Sequence, residues 1–412
     1  MADPDHHPVP PARRARRNGS HELVVDALRA HGPSSQAALA RATGLSPATV
    51  NNVVRVLQEE GVATVGARNG RQSVVTLAGY NGAVASVQVN VSGVHATLFD
   101  FARQARYDET VVFGESSTDQ GGDPSIVVDL IDALVGRAGI RVKELAGVAA
   151  AMQGPVSTQN GQLLSWARLQ MPHWKDVSVA AALKERLGVP VLAENDANLA
   201  ALAEWTWGAG RGSSHFVYVM CSANVGGGIV VDGKLQRGGD GMAGEIGHMV
   251  LEKDGPVCFC GSRGCLTTYL SERSILLALA GSGSAKGSLE EVVEAARRGD
   301  GACARVLFEA GHYLGRALAN TAKVLAPNVI AIGGAFGRGG SLVFESLRSS
   351  VELNSLIAVS PSIRIRNAEL WEDGVVLGGL AGVLSAEGRG LSELPSWAKQ
   401  SDPTAHLPIN HS

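Results

Sequence analysis

Between His248 and Cys265 the 412-residue chain places three of its five cysteines and a histidine: His248, Cys258, Cys260 and Cys265. Three thiolates and an imidazole form the donor set of a tetrahedral zinc site. A Cys-x-Cys pair with a third Cys after four intervening residues lets one turn supply most of the shell. A shell closed by four protein ligands is expected to hold a structural Zn2+ rather than a catalytic one. The competing reading is scattered core cysteine, although only Cys221 and Cys303 lie outside the cluster. In Gly244-Glu245-Ile246-Gly247-His248, a carboxylate stands three residues before the histidine. Metal and polar ligand groups are therefore expected to form one unit.

A second set of residues is suited to a polyanion. Gln36 to Thr43, the turn Gly44-Leu45-Ser46 and a helix from Pro47 to Glu60 read as helix-turn-helix, with Ser46 as cap and Pro47 at the first helical position. Val50, Val53, Val54 and Leu57 form one buried stripe, which leaves Ala48, Thr49, Asn51, Asn52 and Arg55 on the other face. Asn pairs with adenine and Arg with guanine in a major groove. Val62 to Val65 and Val74 to Leu77 predict a β wing with Arg68 and Arg71 at its tip. The expected DNA-binding residues are Ser46, Thr49, Asn51, Asn52, Arg55, Arg68 and Arg71. A protein-docking winged helix is the alternative, and the arginines at 13, 14, 16 and 17 also read as a solvated tail.

Composition constrains what positions these groups. The hydrophobic fraction is 45% and the net charge −3, ordinary for a globular protein. No apolar run reaches the ~18 to 20 residues of a membrane-spanning helix. The N-terminal arginines precede no apolar segment, and clustered thiols fit a reducing compartment, so the expected location is cytoplasmic. Residues 1–80 hold nine Arg against six acidic residues, +3, which leaves −6 for the remainder. Only the front end suits double-stranded operator DNA.

The pattern predicts a disordered basic arm at 1–19, a winged helix-turn-helix at 20–80, a long α/β region at 81–390 and a disordered tail at 391–412. Within the α/β region, strands at Val84 to Val91, Val94 to Phe99, Leu145 to Ala151 and Val189 to Ala193 alternate with helices. The pattern restarts with a hairpin of Phe216 to Cys221 and Gly228 to Val231, then a strand at Val329 to Ile332. Two similar halves, roughly 81–200 and 201–390, predict a duplicated two-lobed fold with a cleft, the C-terminal helix returning to the first lobe.

The winged helix followed by Gly154-Pro155, Glu194-Asn195-Asp196-Ala197-Asn198, Gly244-Glu245-x-Gly247-His248, Cys258-x-Cys260-Gly261-x-x-Gly264-Cys265-Leu266 and Ile332-Gly333-Gly334 resembles the ROK family of repressors and sugar kinases over roughly residues 20 to 390. The resemblance implies an α/β protein with an actin-like, ribonuclease-H-like sugar-kinase fold behind the winged helix. It implies sugar binding by Asn195, Asp196, Glu245 and His248, with His248 also a metal ligand. Asp196 matches the base that takes the hydroxyl proton in kinase members. Hydroxyl ligands suit carboxylates, amides and imidazole, although Asn195-Asp196 also reads as a strand-to-helix cap.

Departures from the family matter as much. Where kinase members carry an acidic residue and Gly-Gly-Thr, this chain has Asn90-Val91-Ser92-Gly93; where they have a Gly-Thr-Gly phosphate loop, it has Ser222-Ala223-Asn224. Phosphoryl transfer rests on positioning and charge neutralisation, so the loss predicts no kinase activity, with Asp196 vestigial. Thr267 replaces a carboxylate expected to contact sugar, and Gln170-Met171-Pro172-His173-Trp174 replaces the usual approach to the pocket. The expected function is transcriptional regulation, as a repressor of sugar uptake or carbon metabolism. A homodimer or homotetramer would answer to a sugar or sugar derivative. The rivals are an active sugar kinase with an appended DNA-binding domain and a regulator that answers to a partner protein or phosphorylated metabolite.

Overall fold

The computed structural model describes residues 11–68, 72–113, 123–355 and 363–399, in two units. One unit comprises Met1–Tyr80 with Leu384–Leu394, the other Asn81–Val383 with Pro395–Ser412.

In the first unit, serines start two of the three helices. Ser35 Oγ accepts from Ala38 N ahead of α2 (Gln36–Thr43), and Ser46 Oγ accepts from Thr49 N ahead of α3 (Pro47–Glu59), satisfying amides that have no partner within a helix. Val50, Val53, Val54 and Leu57 are all buried, and they pack with Val24 and Leu28 of α1 (Pro11–His31) and with Leu39. The wing is an antiparallel pair, β1 (Ala63–Arg68) and β2 (Gln72–Leu77). Helix α1 begins at Pro11, so the expected disordered arm does not extend to residue 19; residues 1–10 lie outside the described residues. Residues 384–390, expected in the effector region, belong to this unit instead. Arg29 explains their place: it pairs with Asp26 and donates to Ser385 Oγ and to the Arg389 carbonyl.

The second unit contains two five-stranded sheets of the same design. The first runs β5 (Ala105–Val112), β4 (Gly93–Asp100), β3 (Ala83–Asn90), β6 (Leu145–Met152), β7 (Val191–Asn195). The second runs β10 (Lys234–Leu235), β9 (Val225–Val231), β8 (His215–Cys221), β11 (Val329–Gly333), β12 (Arg364–Asn367). In each, the opening strand pairs antiparallel with its hairpin partner on one side and parallel with a crossover strand on the other. The expected duplication is therefore present. Periodicity missed β5, β10 and β12: β5 mixes polar residues with apolar ones, β12 is mostly exposed, and β10 has two residues. β7 lies two residues later than expected.

Two separate apolar cores fill the lobes. The helix Asp196–Trp207 leads from β7 toward β8, and the helix Gly374–Ala386 returns to the first lobe, where Gly379 packs against Ser86 and Ala149. Glu204, 1% exposed, fastens these segments. Its Oε1 accepts from Glu369 N at 2.9 Å and Leu370 N at 2.7 Å, and its Oε2 accepts from Ala209 N at 2.8 Å. Glu204→Ala would leave the buried amides of Ala209 and Leu370, and the half-buried one of Glu369, without partners, a loss of roughly 3 kcal/mol after relaxation. Tm should fall by about 6 to 10 °C; a calorimetric scan within 2 °C of wild type would contradict this.

Residues 391–412 are expected to be disordered, but Ser396–Lys399 form a helical turn. Trp397 meets Phe101 edge-on at 4.9 Å, and the buried Arg106 of β5 donates to the Ala398 carbonyl while pairing with Asp108 and Asp373. One aromatic contact and one arginine hold residues 396–399; residues 400–412 lie outside the described residues. No helix among the described residues is long and apolar enough to cross a membrane.

Candidate functional site

A cavity of ≈ 230 Å³ lies between the lobes of the second unit. The β3–β4 turn, the end of β7, the β8–β9 turn and the segment around His248 supply its walls. Asn195, Asp196, Glu245 and His248 all line it, as do Gln88, Asn90, Gln153, Trp166, Ser222, Asn224 and Phe259.

Asn195 and Asp196 occupy the junction of β7 and its helix. Asn195 Oδ1 accepts from Asn198 N at 3.0 Å, so it is the cap as well, and its amide hydrogens are the part left for a ligand. Glu194 holds the junction from behind: it accepts from Asn195 N and Asn198 Nδ2, and Arg237 donates to its other oxygen. Burial pushes the Asp196 carboxyl up to about 7, against a hydrogen bond from Ala197 N at 2.8 Å. Burial, then the nearby Asp196 charge, raises Glu245 to about 7. Two half-ionised carboxyls in one small cavity favour a ligand that donates hydrogen bonds.

The four ligand atoms of His248, Cys258, Cys260 and Cys265 lie within 4.8 Å of one another, a cluster able to hold a metal ion. Cys258 Sγ is 3.6 Å from His248 Nδ1, and Cys260 Sγ is 3.8 Å from Cys265 Sγ. Backbone bridges Val250–Cys265 and Val257–Arg263 fold the loop that brings them together. Gly264 closes it at φ +62°, where a Cβ would lie 1.6 Å from the Glu252 carbonyl, so no other residue fits. Burial pushes the Cys258 thiol up to about 12 and lowers His248. Neutral imidazole is the ligating form, and a dication would be what ionises such thiols. With Nδ1 toward the sulfurs, His248 Nε2 faces Glu245 Oε2 at 3.8 Å and the cavity. One ring thus joins both halves.

The β3–β4 and β8–β9 turns are closed by their own hydrogen bonds. Asn90 Oδ1 accepts from Ser92 N at 2.9 Å and Ser92 Oγ at 2.7 Å, and Gln153 Oε1 accepts from Val91 N. In the second hairpin Ser222 N donates to the Asn224 carbonyl. Thr267 is buried, and its hydroxyl accepts from Val225 N at 3.3 Å. It pins the β8–β9 turn.

Sequence reasoning missed Trp166 and Phe259, which line the cavity, whereas Met171 and Trp174 of the expected approach are buried in the first-lobe core. Phe259 was findable as an apolar residue inside a Cys-x-Cys turn. Trp166 was not, because its placement depends on Ser165 at φ +50°.

In the other unit, Asn51, Asn52 and Arg55 are exposed on α3, Ser46 is exposed at its cap, and Thr49 is half-buried. Arg55 pairs with Glu59 at 2.8 Å and donates to Asn52 Oδ1 at 2.9 Å. Arg68 ends β1, and Arg71 lies outside the described residues.

The pattern described as winged helix-turn-helix DNA-binding matches residues 17–64. The xylose repressor of Caldicellulosiruptor bescii is 28% identical over 385 residues, covering 88% of this chain and 94% of its own. The DNA-binding transcriptional repressor Mlc of Escherichia coli is 27% identical over 381 residues, covering 87% and 91%. A glucokinase of Halalkalibacterium halodurans is 32% identical over 278 residues, 63% of this chain and 83% of its own. Among solved structures, a ROK family transcriptional regulator homologous to the Escherichia coli protein shares the fold at TM-score 0.73 and 22% identity, covering 92% of this chain and 98% of its own. A ROK family glucokinase from Streptomyces griseus, solved with glucose and AMPPNP, gives TM-score 0.59 at 26% identity over 72% and 98%. The ROK family pattern matches residues 84–385, both lobes and the metal loop included, and the chain belongs to the ROK family.

Proposed function

We propose that this protein is a DNA-binding transcriptional repressor of sugar uptake or carbon metabolism, acting in the cytoplasm as a homo-oligomer. A neutral sugar in the interlobe cavity is its effector, zinc braces that cavity, and the cleft does not phosphorylate what it binds. The observation that carries this reading is the asymmetry of the cleft. Hydroxyl-binding groups Asn195, Asp196, Glu245 and His248 converge on the cavity, while Asn90, in place of an acidic metal anchor, closes its own turn. Magnesium nucleotide loses its anchor there, and transfer depends on such anchors.

Effector charge follows from the same walls. No Lys or Arg is among the cavity's lining residues, and two carboxyls are. A phosphorylated metabolite would be repelled, so an uncharged polyol suits the site. Relatives named xylose repressor support the class. For zinc, Zn–S of ~2.3 Å and Zn–N of ~2.0 Å give tetrahedral edges of about 3.8 Å between sulfurs and about 3.5 Å between sulfur and nitrogen, close to the 3.8 Å and 3.6 Å separations here.

Ligand that binds one lobe arrangement more tightly shifts the population toward it, and operator affinity changes by the same coupling. A single winged helix reads few base pairs, so a symmetric oligomer places two on adjacent half-sites. Ser46, Thr49, Asn51, Asn52, Arg55, Arg68 and Arg71 form the reading surface. Arg55→Ala should weaken operator binding roughly 10- to 100-fold and relax preference at one base pair, seen by fluorescence anisotropy on operator variants. Equal affinity and equal preference would remove Arg55 from that surface.

The kinase reading retains one specific support: an acid near pH 7 is well matched to a catalytic base, and Asp196 is such a group. Two assays separate the readings. Operator release titrated with xylose, glucose, galactose and N-acetylglucosamine should respond to at least one of them. Turnover of the same sugars with magnesium ATP should stay at background; sustained phosphorylation, or silence of DNA binding toward every sugar, would refute the proposal.

A further inference from the structure

Three aromatic rings form one wall of the cavity. Trp166 and Phe259 lie 5.0 Å apart at 72°, Phe259 and His248 5.2 Å apart at 88°, and Trp166 and His248 5.6 Å apart at 49°. Edge-to-face packing of this kind fixes each ring by its neighbours. Two of the three rings belong to the metal loop: His248 is in the ligand cluster, and Phe259 stands between Cys258 and Cys260. Ligation on both sides of Phe259 would fix its backbone and aim its side chain.

Trp166 is placed with equal specificity. It follows Ser165, a non-glycine residue at φ +50°, a strained conformation that persists where surrounding structure demands it. Gly154, at φ +118°, leaves room for the indole: a Cβ there would lie 2.6 Å from Ala167 Cβ and 3.1 Å from Trp166 Cη2. Trp166 is 8% exposed, and its Nε1–H, which has no partner at full hydrogen-bond distance, lies close enough to the Glu245 carboxyl to favour that group's ionised form. A buried donor short of full hydrogen-bond distance from its neighbour gains from a ligand oxygen that completes the bond. Phe259 is 40% exposed, so its ring keeps free surface.

We propose that Phe259 and Trp166 determine which sugar the cleft accepts: the Phe259 ring takes the C–H face of a neutral sugar ring, and Trp166 Nε1–H donates to one of its oxygens. A sugar's carbon-bound hydrogens carry slight positive charge and meet the negative face of an aromatic ring favourably. Asp196 and Glu245 accept from hydroxyls while the aromatic wall, which adjoins Glu245 through His248, offers one donor and one apolar plate. Epimers differ in whether an axial hydroxyl interrupts the C–H face, so the plate discriminates where the carboxyls alone do not. The inference rests on the sugar reading above.

Calorimetry on the full-length, metal-loaded protein tests it with xylose, glucose, galactose and mannose. Against the best of these, Phe259→Ala should lose about ten-fold in affinity and Trp166→Phe about five- to thirty-fold. The ranking of glucose over its epimers, or the reverse, should collapse to within two-fold in Phe259→Leu, which keeps apolar bulk but has no ring face. Metal content of one per chain and unchanged circular dichroism show that the fold and the loop survive. Wild-type ranking and affinity retained in all three variants would overturn the assignment while leaving sugar sensing intact. Failure of the wild-type protein to bind any of the four sugars, alone or in operator release, would overturn both.

Discussion

Cys260→Ser should abolish bound metal and effector response together, a loss larger than that from any other single substitution considered. Cys260 faces Cys265 at 3.8 Å, and the 248–265 segment to which they belong carries both His248, on the cavity wall, and Phe259. Hydroxyl oxygen is a poor substitute for thiolate at a soft, closed site. Without the ion, the two buried thiols that remain, Cys258 and Cys265, lose the charge that would ionise them, and the loop keeps only its backbone bridges. Structural zinc contributes on the order of 10 kcal/mol in small domains, and disturbing groups that orient a metal ligand costs 10- to 100-fold in affinity or activity. Expected results are metal near zero per chain by mass spectrometry, a Tm lowered by several degrees and at least ten-fold weaker effector binding. DNA affinity without effector should persist, because α3 and its core belong to a separate unit. Full metal occupancy in the variant would mean the ligand set is wrong; intact effector response in a metal-free variant would uncouple the loop from the cavity.

What could be read from residues alone divides along physical lines. Local rules located the caps and the buried stripe of α3, because Ser46, Pro47 and the i, i+3, i+4, i+7 valines act within one helix. The metal cluster was equally visible, since its ligands fall within a segment of eighteen residues. Asn195, Asp196, Glu245 and His248 meet in one cavity only through two parallel crossovers, and it was the family resemblance, not periodicity, that joined them. Thr267 could be flagged as a departure, but its turn toward Val225 N is a tertiary fact. β5 and β12 escaped because strand patterning fails where one face holds an ionic network, such as Arg106 with Asp108, or where an edge is mostly exposed. The Leu384–Leu394 return to the first unit depends on Arg29, 356 positions from its Ser385 partner. No local pattern encodes it.

Asp196→Asn should stabilise the effector-free protein as pH rises, and weaken effector binding at the same time. Asp196 is fully buried and keeps its proton to about pH 7, against an ordinary value of 3.8. Below pH ~4 both folded and unfolded states are protonated and the wild-type side chain carries no penalty. Between pH 4 and 7 the unfolded chain releases a proton that the folded chain retains, so wild-type stability falls with rising pH, levelling off above 7. The difference corresponds to about 4 kcal/mol at most, and Asn, which keeps the oxygen that caps Ala197 N but never ionises, avoids it. Tm of the variant relative to wild type should therefore climb through pH 5 to 7 by up to about 10 °C and then stay constant. Effector affinity should move in the opposite sense. A hydroxyl donates best to the ionised carboxyl, so wild-type binding tightens as pH passes 7, whereas Asp196→Asn binds about ten-fold more weakly above pH 7 and shows no such rise. A variant-minus-wild-type Tm difference that stays flat from pH 5 to 8 would show that Asp196 titrates as an ordinary carboxylate. A hydroxyl-grasping role would then have to be carried by Glu245 and Asn195 without it. A variant-minus-wild-type Tm difference that climbs with pH, together with lost effector binding, would instead tie the two to one side chain: a buried acid kept for its ligand at the expense of the empty cleft's stability.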